Sequence, residues 1–285
     1  MELMTLLILI GIIGLFCEWI DSALGMGYGT ILSPLLIFLG FPALVVVPSV
    51  LLTQAVGGGT AAIFHHKHGN ANFSIKSKSK NPVYIAKKIK EHGPVKAFKK
   101  GLSEDLKTVA IITSLGIIAT IIATVVAINI SKTALNTYIG ILVVIMGLFI
   151  LTGFTFVYSI GKMFIVGIIS AFNKGLSGGG FGPVVTGGQM VLGKEHKGAI
   201  GCTTAAEPLI CITGFIAYAL LKGISGWNLI LALGGGAIIA GGIGPLTTKK
   251  INKKTLKLIV GILMLVLGIL SLLKTFNLIG LKVSM

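Results

Sequence analysis

The sequence predicts an all-α polytopic membrane protein of two inverted repeats, about five helical segments each, with Gly-rich broken or re-entrant helices meeting near the midplane. Composition is the first reason. Of 285 residues 54% are hydrophobic and only 11% charged, with a mean hydropathy of +0.98, whereas soluble domains carry about 25% charged residues. The second is segment length, since apolar runs near the roughly 20 residues a membrane crossing needs recur along the chain. The third is repetition, because the order of segments in the first half returns in the second.

The first segment covers residues 3 to 22, running into Leu and Ile directly after Met1-Glu2, without the basic region of a secretory signal. A short Gly-interrupted piece follows at 27 to 40, then a longer segment at 43 to 64. A polar stretch occupies 65 to 107, and two further spans are expected at 108 to 129 and 134 to 153. Residues 162 to 175, 180 to 193, 197 to 220, 228 to 248 and 256 to 273 repeat these five in character. The first repeat is thus 1–153, including the 65–107 loop, and the second 162–285. The short second segments can tilt across the membrane or form half of a re-entrant hairpin. Either way their irregular backbone must be buried in protein or line a wet cavity.

The repeat has a register. A shift of 153 places Gly14 on Gly167, Gly27 on Gly180, Tyr28 on Phe181, Gly29 on Gly182 and Leu39-Gly40 on Leu192-Gly193. A shift of 121 then places Lys132, Gly140-Ile141-Leu142 and Gly147 on Lys253, Gly261-Ile262-Leu263 and Gly268.

The net charge of +16 comes wholly from Lys, with no Arg. Arg is the usual fork for bases and phosphates, and this surplus sits on an apolar chain, which points away from nucleic acid and toward a membrane surface. The 65–107 loop holds eleven Lys and three acids, so it is assigned to the cytoplasmic side. If each short segment turns the chain back, the other loop and tail Lys divide eight inside to four outside, and the halves are inverted. If the first two segments make one crossing, the division reverses. The sorting rule favours inversion. Within the loop, residues 83 to 90 form a basic amphipathic piece suited to anionic lipid headgroups.

Two turns interrupt the apolar pattern, Asp21-Ser-Ala-Leu-Gly25-Met-Gly27-Tyr-Gly29 and Asn173-Lys-Gly-Leu-Ser177-Gly178-Gly179-Gly180-Phe-Gly182-Pro183. A helix start offers unpaired N–H groups and a positive dipole end, and Gly lets an oxyanion approach that backbone. Two such starts meeting near the midplane would bind a small anion. The expected binding set is Gly25, Gly27, Gly29, Gln54, Lys174, Ser177, Gly178, Gly179 and Gly180. The bland alternative is close helix packing through Gly25/Gly29 and Gly178/Gly182.

Ionisable residues at a helix centre cost about 2.5 to 3.5 kcal/mol each, so each invites a functional reading. Glu18 and Asp21 lie three apart on one helix face. Lys174 occupies the register position of Asp21, and Glu207 that of Gln54. These positions are expected to converge between the repeats. Glu207, amid small residues before Pro208, and Glu18 are placed to take and release a proton, with Asp21 beside them; a structural Asp21–Lys174 pair is the alternative.

No metal, cofactor or enzymatic site is expected. His65, His66 and His68 lack a nearby Cys or acid to complete a metal site and are expected to be solvated at the membrane interface. Cys17, Cys202 and Cys211 show neither CxxC spacing nor an even count. Neither turn has nucleotide-loop spacing, and no Ser/His/Asp or Cys/His set can be drawn without mixing loop and midplane residues.

With these residues in place, the chain resembles the sulfite exporter TauE/SafE family of permeases, also called the toluene sulfonate uptake permease family. The resemblance rests on a Gly-rich turn followed by Pro and an apolar helix ending in Leu-Gly: Gly25 to Pro34 with Leu39-Gly40, and Gly178 to Pro183 with Leu192-Gly193. It covers nearly the whole chain outside 65–107. The first turn has fewer consecutive glycines than the family's usual pattern, and the basic loop is long. The resemblance implies a transporter of small sulfur-containing oxyanions such as sulfite or organosulfonates; the inverted halves and the acids Glu18, Asp21 and Glu207 add the expectation of a secondary carrier in the cell membrane, working by alternating access with a proton as co-substrate. A passive anion channel and a non-transporting membrane scaffold are the alternatives, and a homo-oligomer is compatible with each.

Overall fold

The structure, a computed structural model, describes residues 3–74, 103–152, 160–191, 194–248 and 252–278. The basic piece at 83 to 90 and the Leu192-Gly193 pair lie outside the described residues. Ten helices occupy them: α1 (Leu3–Leu24), α2 (Tyr28–Phe38), α3 (Ala43–Lys67), α4 (Glu104–Asn129), α5 (Lys132–Thr152), α6 (Ile160–Ser177), α7 (Gly182–Val191), α8 (His196–Lys222), α9 (Trp227–Thr247) and α10 (Lys253–Thr275). No strand is present among the described residues. Seven helices, all but α2, α6 and α7, are long and apolar enough to cross a membrane. With 11 and 10 residues, α2 and α7 reach about 16 Å, half of a hydrocarbon core.

Local chemistry sets several ends. Ser103 caps α4, its Oγ accepting from Leu106 N at 3.2 Å, and Glu104 and Asp105 complement the dipole in the first turn. Asn252 caps α10 in the same way through Thr255 N. Gly27 has φ 136° at the start of α2, a conformation that a side chain strongly disfavours.

The most extensive packing runs α5 on α10, α1 on α9, α3 on α9 and α8, and α4 on α6 and α8. Thus α1, from the first half, lies on α9 from the second, and their register counterparts α6 and α4 lie on one another. The halves interleave. Small residues set the approach, as where a Cβ on Gly11 of α1 would come within 2.7 Å of the Ala232 carbonyl oxygen of α9. The α3/α8 crossing is antiparallel, Leu51 lying by Gly214 and His65 by Gly201. Outward faces carry exposed Ile8, Ile12 and Phe16 on α1, Ile118 and Ile122 on α4, and Ile238 and Ile239 on α9. Apolar surface of this extent matches a lipid environment rather than water.

Candidate functional site at the crossing of two broken helices

Each half breaks its first helix in the same way. The α1 helix ends where Gly25 N donates to Asp21 O, and α6 where Gly178 N donates to Lys174 O. Gly25 and Gly178 then take φ values of 72° and 75°, the left-handed turn that frees the chain to reverse. Both turns sit where the register predicts. They touch face to face: a Cβ on Gly29 would overlap the carbonyl oxygen of Gly178, and one on Gly182 would overlap that of Gly25. The starts of α2 and α7 therefore meet inside the protein, and these glycines at minimum serve close packing.

A chain of polar side chains crosses this junction. Lys174 Nζ lies 2.7 Å from Glu207 Oε1 and donates to Gln54 Oε1 at 3.0 Å. The amide of Gln54 turns its other end to Asp21, Nε2 donating to Oδ2 at 2.8 Å. The second Asp21 oxygen accepts from Tyr28 N, the first residue of α2, at 3.2 Å. Glu207, Lys174, Gln54 and Asp21 thus form one continuous row, every member 3% exposed or less. The expected pairs do converge, with Gln54 bridging Asp21 to Lys174 instead of a direct Asp21–Lys174 contact. Glu18 stands beside the row, fully buried, with Oε1 accepting from Ser22 Oγ at 2.8 Å and Oε2 without a partner.

The expected backbone donors are partly occupied. Gly180 N donates to Thr30 Oγ1 at 3.1 Å and Gly179 N to Ser177 Oγ at 3.1 Å. In this conformation the protein's own oxygens lie on the helix starts: a carboxylate on α2 and a hydroxyl on each of the two glycines before α7.

The structure corrects one expectation. His65 is fully buried, its Nε2 2.9 Å from Ser22 O and its Nδ1 3.1 Å from Asn70 Nδ2. The packing of 65–74 over the end of α3 removes it from water, while His66 and His68 remain exposed. Sequence reasoning also missed what this histidine does. The register partners of His65 and Ser22 are Tyr218 and Gly175, and Tyr218 Oη donates to Gly175 O at 3.0 Å. Each half thus pins the last turn of its broken helix with a long polar side chain from its third helix. Ser33 and Thr186 form a second such pair. Thr186 Oγ1 donates to Gly25 O at 3.0 Å, and Ser33 Oγ packs against Gly178. Tyr28 and Thr30 were also missed. The signal was available, because applying the 153 shift to polar residues rather than to glycines picks out both pairs.

The Sulfite exporter TauE/SafE family matches residues 10–76 and 94–271. A probable membrane transporter protein, YtnM of Bacillus subtilis (strain 168), is 25% identical over 275 residues, covering 90% of this chain and 80% of that protein. No solved structure matches the chain. With a family match over most of its length, apolar helices suited to crossing a bilayer and a polar row buried between them, the chain belongs to the sulfite exporter TauE/SafE family and is a multi-pass membrane transporter.

Proposed function

We propose that this chain is a secondary carrier that moves small sulfur-containing oxyanions, such as sulfite or organosulfonates, by alternating access between two inverted repeats, with a proton as co-substrate. The observation that carries the reading is the Lys174 ammonium, 1% exposed and held by Glu207 and Gln54 beside the meeting point of two helix starts. A buried cation next to helix N-termini is a seat for an anion. The matched family is named for sulfite export, which agrees with an oxyanion as cargo. The antiparallel α3/α8 crossing supports inversion.

The coupling follows from occupancy. Glu207 holds Lys174, and Asp21 holds the first N–H of α2, so a substrate oxyanion must displace carboxylates to reach either donor. Three carboxyl groups, counting Glu18, face one ammonium in a dry interior. Adding a substrate anion there is costly unless the displaced acid takes a proton. Protonated Glu207 would release Lys174 to the substrate, and substrate release would return Lys174 to ionised Glu207. Proton and anion then travel on the same cycle.

The test is sulfite flux into proteoliposomes under an imposed pH gradient, compared between the wild type and Glu207→Gln. Wild-type flux should saturate and follow the gradient. Glu207→Gln should still bind sulfite, read as a rise in melting temperature, but lose the pH drive. Saturable flux whose pH drive survives this substitution and replacement of Asp21 or Glu18 sinks the coupling through these acids, and saturable flux in the wild type with no pH drive sinks the proton as co-substrate. Non-saturating flux with no pH dependence makes the protein a channel, and no flux or stabilisation with any sulfur oxyanion makes it a scaffold.

A further inference from the structure

A second positively charged site lies at the far end of α2. The helix begins at the buried row, where Tyr28 N meets Asp21, and ends beside a cavity of about 220 Å³ near the start of α3, at the opposite end of that helix from His65. Lys132, Thr133 and Asn136 from the first turns of α5 line it, with Lys274 and Thr275 from the last turn of α10 and Asn277 beyond. Among the described residues its lining contains two cations and no acid. The Lys274 ammonium donates to the carbonyl of Phe38 in the last turn of α2 and feels the like charge of Lys132. Lys274 rests on the Phe38 carbonyl and Lys132 is open to solvent, and the two positive charges at one cavity give it a potential that favours an entering anion. At about 30 Å³ per water, its volume suits a hydrated small anion rather than a drug-sized ligand.

We infer that Lys132 and Lys274 form an oxyanion-docking pocket, separate from the buried row and joined to it by α2. A sulfonate group and a lipid phosphate share the chemistry it would recognise. Its place on the transport path, as the station that concentrates cargo before the central site, rests on the carrier reading; its affinity for an oxyanion does not. An oxyanion that draws Lys274 from the Phe38 carbonyl would also uncap the end of the helix whose start is held by Asp21.

The test uses Thr133→Cys, an exposed wall position, in the full chain reconstituted in phosphatidylcholine. The native cysteines are buried. The new thiol is modified with (2-sulfonatoethyl) methanethiosulfonate and, separately, with its trimethylammonium analogue. The anionic reagent should be favoured by a ratio that falls on the order of tenfold when Lys132→Gln and Lys274→Gln are added. Lys132→Gln alone, which keeps the Phe38 contact, should give an intermediate fall, so a double variant that misfolds does not decide the matter. Methanesulfonate should slow the anionic reagent in the two-lysine background only. If phosphatidylglycerol slows it and methanesulfonate does not, the occupant is a lipid phosphate. A reagent ratio unchanged by removal of both charges overturns the pocket. Labelling needs no flux, so it reads this site even where the carrier reading fails.

Discussion

The two halves share a backbone device and differ in the charges they hang on it. At positions 153 apart, Gly25 and Gly178 end the broken helices with nearly the same φ, Gly29 and Gly182 press on each other's turns, and His65 and Tyr218 pin equivalent carbonyls. At the same spacing, Asp21 aligns with Lys174 and Gln54 with Glu207. The first half brings an acid and an amide, the second a base and an acid. Shared glycines keep the crossing symmetric, and unlike charges make its contents asymmetric. An asymmetric filling lets the second half hold the only cation of the row, which under the proposed function gives a single anion one preferred seat rather than two equal ones.

The largest expected effect breaks the shared part. Gly29→Ala and Gly182→Ala each place a methyl on a backbone carbonyl that no side-chain rotation can clear. Each should cost more than about 4 kcal/mol, seen as loss of a folded, monodisperse peak in detergent. Gly59 is the control, a helical glycine with open space at its Cβ, where Ala should be neutral or stabilise by up to about 1 kcal/mol. If Gly29→Ala and Gly182→Ala differ widely in outcome, the crossing is less symmetric than its contacts.

The next effect concerns the differing part. Lys174→Met strands Glu207, which keeps almost no access to water, and should cost about 3 to 5 kcal/mol. The pair Lys174→Met with Glu207→Met should recover most of that stability, since replacing a buried ion pair by apolar residues is often neutral. Sulfite-induced stabilisation should stay lost in the double variant. Recovery of both stability and ligand response would remove Lys174 from the anion site.

How much of this was legible in the sequence depends on the kind of residue. Span positions were readable because length and hydropathy are imposed by the bilayer, and the turns because glycine at φ near 72° has few substitutes. The convergence of Asp21, Gln54, Lys174 and Glu207 was readable once the register existed, because symmetric positions in crossing helices meet. The bridging role of Gln54 was not, since an amide can turn either end to either neighbour. His65 misled because three histidines at a helix end next to a basic loop look solvated. Its burial depends on how residues 65–74 fold back, which no local pattern encodes. The swapped packing of α1 on α9 was also hidden, because hydropathy marks which residues face away from lipid and not which helix they face.

The smallest effect separates two hydroxyls at equivalent positions. Thr186 is fully buried, donates to Gly25 O and lies 2.9 Å from Thr203 Oγ1. Ser33, 1% exposed, occupies the same place against Gly178 but has no hydrogen-bond partner. Thr186→Val keeps the shape and strands the Gly25 carbonyl, while Thr203 Oγ1 keeps its bonds to Ala199 O and Gln189 Nε2, so it should lower thermal stability by about 1 to 3 kcal/mol. Ser33→Ala removes a polar group that already lacks a bond and should be neutral or slightly stabilising in the resting protein. The same substitution becomes informative when ligand is present. A buried hydroxyl held without a partner beside the second Gly-rich turn is free to donate to an anion that arrives there. Ser33→Ala should therefore weaken sulfite stabilisation severalfold while leaving the unliganded melting temperature where it was, and Thr186→Val should do the reverse. If both variants lose stability equally and neither alters the response to sulfite, the two hydroxyls are packing elements of one symmetric junction, and the asymmetry of the site is confined to its charges.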